Sequence, residues 1–240
     1  MKKRYRLIIM SVACAASLLL TAFFVLYRQA DASIERLIDQ KLEQIMDTSH
    51  DNNGSTNAPP TAFYSNPYDY TQNSAPFSHI LKLGHAALPI LQDKLSASEE
   101  NGLKQYIIAI AIENIAQVKL KPTSSANWDT GKQFLKEWRQ HLQHIPQHVA
   151  AVVNSKAHQE QQTTQLIQLG LPTVPFILDQ LKLGHKEVLP AIQQLISSSK
   201  LETDPSTFSM EWLAANQANY EELRQLVLSA AQKQEQIERK

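Results

Sequence analysis

Apolar positions along this chain fall into three kinds of run. From Leu7 to Tyr27, 21 consecutive residues carry no charge. From Ser33 to Met46, Ile34, Leu37, Ile38, Leu42 and Ile45 recur at helical spacing, with acids and glutamines covering the other positions. Beyond residue 75, short periodic segments alternate with Gly and Pro, and one sixteen-residue phrase occurs twice. Ile80–Leu95 reads ILKLGHAALPILQDKL and Leu166–Leu181 reads LIQLGLPTVPFILDQL. Without a gap they share Leu83/Leu169, Gly84/Gly170, Pro89/Pro175, Asp93/Asp179 and Leu95/Leu181, and most other positions keep apolar on apolar.

The phrase reads as helix stop, turn, helix start. A glycine after a periodic segment supplies the positive φ that closes a helix. A proline five residues on falls in a first helical turn, whose amides have no intrahelical acceptor and lose nothing to it. Leu88, Leu91 and Leu95 then share a face, as do Val174, Ile177, Leu178 and Leu181. Gly102 to Val118, with YIIAIAI at 106–112, predicts a helix buried on nearly all sides. Thr130 and Gln133 form a capping box for a helix over 131–145 with Phe134, Leu135, Trp138 and Leu142 inward, and Pro146 starts a further short helix to Val153. Gly184 turns the chain between helices at 172–182 and 186–197. Asp204-Pro205 opens a segment with Phe208 and Trp212, and Asn219 with Glu222 caps a last helix that buries Leu223, Leu226 and Val227.

The pattern LGxxALPxLxxxL followed by an apolar helix resembles the HEAT-like repeats of the phycobilisome-lyase type. The resemblance covers roughly 77–118 and 163–196, and Ala111-Ile112-Glu113-Asn114-Ile115 lacks the glycine with which that family closes its second helix. It implies an all-α, compact α-α superhelix of stacked helix pairs, with scaffolding and protein binding as the usual roles. The two copies lie 86 residues apart, so residues 128–158 are expected to form a degenerate middle unit.

Charge refines the picture. The formal net charge is zero over 240 residues. Lys2, Lys3, Arg4, Arg6 and Arg28 are the charged groups of residues 1–30, which leaves 18 basic against 23 acidic groups, net −5, in the rest. An acidic body argues against a nucleic-acid partner. The apolar run 7–27 is long enough for a bilayer core, and the basic cluster before it places the N-terminus in the cytoplasm and the body outside. Residues 1–28 are thus expected to be a signal anchor and transmembrane helix. The alternative is a signal peptide cleaved at Ala30-Asp31-Ala32, with the body secreted. Residues 29–47 follow as an amphipathic stalk helix, 48–74 as a flexible linker and 75–236 as the HEAT-like domain. Within the linker, the aromatics of Phe63–Tyr70 are expected to cover the open end of the helical stack.

Candidate chemistry is thin. Cys14, the sole cysteine, lies in the apolar run, so the body has no thiol chemistry. His141, His144 and His148 have ligand-like spacing, but Pro146 is expected to break the helix between them, and they read as exposed polar side chains rather than a metal site. His85 and His185 each follow a turn glycine and are expected to bond nearby carbonyls; Glu113 is expected to cap a helix or bond a neighbouring unit. No GxSxG, P-loop or paired-carboxylate motif occurs. The expectation is no catalytic, cofactor or metal residue, no cofactor, and a protein or peptide partner. An envelope enzyme or cofactor-handling protein on a helical scaffold is the alternative.

Overall fold

The computed structural model describes residues 29, 31–47, 66–120, 128–198 and 217–238, with side chains as far as residue 232. The expected membrane segment at 7–27, Phe63, Tyr64 and the stretch around Asp204-Pro205 lie outside the described residues. Every regular element among those described is helical. No helix among them is long and apolar enough to cross a membrane.

Helix α1 spans residues 31–47 and buries Ile38, Leu42 and Ile45. The chain divides into two compact units at Gln40/Lys41, within α1, and the larger is Lys41–Lys240. Residues 66–74, within the segment expected as linker, include a regular turn. Pro67–Tyr70 is a 3-10 turn, capped by Asn66 Oδ1 accepting from the Tyr68 amide at 3.2 Å. Its Tyr68 ring meets Tyr106 edge-on with centroids 6.1 Å apart. Local capping and ring packing order a segment whose composition alone reads as loop.

Eight further helices follow among the described residues: α2 (Ala75–Lys82), α3 (Ala87–Ala97), α4 (Leu103–Ala116), α5 (Gly131–Val153), α6 (Gln159–Gln168), α7 (Val174–Lys182), α8 (Leu189–Ser198) and α9 (Glu221–Glu238). The duplicated phrase is the end of α2 with α3, and the end of α6 with α7. Gly84 and Gly170 stand at φ 64° and 80°; Gly84 opens and Gly170 precedes a 3-10 turn, and each turn leads into a helix with its proline in the first turn. Helix packing repeats with the sequence. α4 packs on both α2 and α3, and α8 packs on both α6 and α7. The helix after each triplet then packs on the phrase helix, α5 on α3 and α9 on α7.

The segment between the copies is not a degenerate helix pair of their kind. α5 is one 23-residue helix that passes through Pro146 and touches α3, α4, α6, α7 and α9. A proline inside a helix costs one hydrogen bond and a steric clash. Burial of Phe134, Leu135, Trp138, Leu142, Ile145, Val149 and Val153 on both sides of it outweighs that loss, since each large apolar side chain contributes ~1.5–3 kcal/mol.

α4 is the central helix the sequence implies, with Ile107, Ile108, Ala109, Ile110, Ala111 and Ile112 all buried. Its end supplies what the missing glycine would. Gln117 takes the left-handed conformation (φ 57°), the Val118 amide donates to Glu113 O at 3.1 Å, and the Gln117 amide donates to Asn114 O at 3.4 Å. This is a Schellman-type closure built on glutamine.

Candidate functional surface

The ionisable side chains marked by the sequence are distributed over the helices, and most are tied to a second element. Asn219 O accepts from His85 Nε2 at 2.7 Å, and the His85 ring lies 5.4 Å from that of Tyr220. The carbonyl is 134 residues away, not in the local turn, so His85 joins the first phrase to the segment before α9. Asn219 itself lies inside a 3-10 turn, Gln217–Tyr220, and α9 starts at Glu221. Burial pushes the Tyr220 phenol up to about 12, so it stays neutral.

His141 joins α5 to the second phrase: Leu169 O accepts from its Nε2 at 2.9 Å. A carbonyl only accepts, so Nε2 carries the proton. Burial lowers the His141 pKa below its ordinary 6.5, outweighing the Leu169 carbonyl, which raises it; His148 and His144 lower it further. Because α5 runs unbroken through Pro146, His144 and His148 stay on one exposed face, with ring centroids 5.7 Å apart. Among the described residues no group of three or more His, Cys, Asp or Glu is arranged to hold a metal ion.

Glu113, half-buried near the end of α4, accepts from the Leu120 amide at 2.8 Å and from Trp128 Nε1 at 3.3 Å. His185 Nδ1 pairs with Glu187 Oε1 at 2.9 Å rather than with a carbonyl, because the turn after Gly184 brings the carboxylate within reach two residues on. The Thr130–Gln133 box is half formed. Thr130 Oγ1 accepts from the Gln133 amide at 3.2 Å, whereas Gln133 Oε1 accepts from the Asp129 amide at 2.7 Å, one residue before the cap.

Several polar struts have no motif to announce them. Gln92, 5% exposed, accepts from Trp138 Nε1 at 2.9 Å and locks α3 to α5. Gln162 Nε2 donates to Val152 O and Ser155 O at 3.1 and 3.2 Å, closing the corner between α5 and α6. Arg224 on α9 donates to both Asp179 oxygens, at 2.7 and 3.0 Å, and to Pro175 O at 2.9 Å, over the Phe176 ring at 5.2 Å. The Asp179 carboxylate is the largest influence raising the Arg224 pKa. A glutamine beside an apolar stripe is the only hint of the first. The third would need the pairing of α7 with α9 to be known beforehand.

Compared with known proteins, the chain matches no family model, no curated relative and no solved structure. The resemblance to HEAT-like repeats is one of sequence, resting on the duplicated phrase.

Proposed function

We propose that the chain is a membrane-tethered binding module: a HEAT-like helical body, held outside the cytoplasm by residues 7–27, that takes a protein or peptide partner on its helical surface and performs no catalysis. One observation carries the reading. His85, His141, Glu113 and Arg224 each bridge separate parts of a duplicated helical body. That use of charged and polar groups suits a rigid scaffold, where surface presentation is the function. The exposed Leu183 (74%), at the turn of the second copy, adds an apolar contact point on that surface. Crosslinking of the full-length chain in intact cells, followed by identification of what is joined to it, tests the proposal. A saturable adduct with a defined protein, reduced when Leu183 is replaced by Glu, is expected. Absence of any partner together with turnover of a small molecule by the purified chain would transfer the case to an envelope enzyme.

A further inference from the structure

We infer that His144 and His148 form a two-histidine chelate for a first-row divalent transition-metal ion, a property independent of the binding-module reading. Two observations carry it. Both side chains are exposed and four residues apart on one continuous helix, so they stand one turn above the other. Gln140 O accepts from His144 Nδ1 at 2.7 Å. As the carbonyl only accepts, Nδ1 carries the proton, and Nε2 keeps its lone pair toward solvent, the tautomer a metal ligand needs. Such a second contact, which orients the ring and raises its basicity, accompanies nearly every metal-bound histidine. The ring centroids lie 5.7 Å apart with their planes 22° from parallel. That separation is within reach of a metal bonded at about 2.0–2.1 Å to one nitrogen of each imidazole, once both rings turn about χ2 so that their in-plane lone pairs converge.

Pro146 lies between the two histidines on the same helix. A proline opens the hydrogen-bond ladder on its own side of the helix. His144 and His148 each lie about 200° around the axis from it, on the opposite side of the helix. His141, the third histidine of the pattern, is outside the chelate because its Nε2 is held by Leu169 O. The protein thus offers two nitrogens and leaves the other positions to water. Imidazole pairs of this kind suit Cu²⁺, Ni²⁺ and Zn²⁺, with Cu²⁺ bound tightest.

The test is titration of the purified full-length chain with Cu²⁺ and, separately, Zn²⁺, read by calorimetry and by the Cu²⁺ electron paramagnetic resonance spectrum. Expected is one Cu²⁺ site with nitrogen hyperfine structure and weaker Zn²⁺ binding at the same site. Losing a direct ligand should cost at least what losing an orienting contact does. H144Q and H148Q should therefore each weaken Cu²⁺ binding by about 100-fold. H141Q and H185Q should leave it within about twofold, the spread expected for residues outside the site. Because both ligands are exposed, thermal unfolding of H144Q and H148Q should match the parent, which separates site loss from misfolding. No Cu²⁺ binding by the parent, or equal binding by the H144Q/H148Q double variant, would overturn the chelate.

Discussion

At the scale of single residues, identical letters in the two copies carry different weight. Gly84 and Gly170 both stand at positive φ, but a Cβ on Gly84 meets open space. One on Gly170 overlaps Val118 Cγ1 and the carbonyl oxygen of Ala116, because the second turn is pressed against the end of α4. Gly84→Ala should cost about 1 kcal/mol, the left-handed penalty less the entropy gained from the unfolded chain. Gly170→Ala adds a steric displacement of backbone and should cost about 2–5 kcal/mol. Chemical denaturation of the two variants checks this, and equal losses would contradict the packing of that turn. His141 supplies a second prediction. Its folded pKa lies below the ordinary 6.5, so the unfolded chain binds the extra proton first. Stability is therefore full above about pH 6.5 and falls as pH drops from there toward the folded pKa. Unfolding followed from pH 8 to 5 should show that loss, and H141Q should flatten the part of the slope that belongs to this residue.

Among the elements, α9 is held by a clamp whose strength can be isolated. Arg224 is mostly covered, while the Asp179 side chain is 41% exposed, so solvent screens part of the pair. A bidentate charged contact of this kind contributes about 1–2 kcal/mol after that discount. A double-mutant cycle with R224M and D179N should return a coupling of about 1 kcal/mol, measured by denaturant unfolding. A coupling near zero would mean that α9 is held by its apolar face alone, through Leu223, Leu226, Val227 and Ala230. In the first copy α5 holds α3 by different means, the buried Trp138–Gln92 bond, while Asp93, the counterpart of Asp179, is exposed. The two copies share helix starts and stops yet use different side chains to retain the helix that follows.

For the whole molecule, the sequence carries an N-terminal apolar run with a basic flank ahead of the larger unit, Lys41–Lys240. The proposed placement predicts that the full-length chain fractionates with membranes and resists salt extraction. It also predicts that protease added to intact spheroplasts digests the body. Protection there, with digestion only after lysis, would put the body on the cytoplasmic side and remove the basis for an outward-facing module.

How much of this was legible depends on the range of the interaction. Local chemistry announced itself: positive-φ glycines at Gly84, Gly170 and Gly184, first-turn prolines, the amphipathic face of α1 and the all-round apolar surface of α4 follow from spacing, because helix starts, stops and faces are set within a few residues. The all-helical class follows from the same signals. What only the tertiary structure decided is where competing forces meet from afar. Pro146 reads as a break, but packing on both sides carries α5 through it. Gln117 carries no glycine signal, yet its amide Nε2 bonds Leu195 O at 3.0 Å and holds the left-handed turn. His85 reaches a carbonyl 134 residues away, and Gly170 matters more than Gly84 because α4 happens to end against it. Spacing determined each helix and the turn before it. Only folding decided which helices meet, since that choice is made by apolar area and buried hydrogen bonds between residues far apart in the chain.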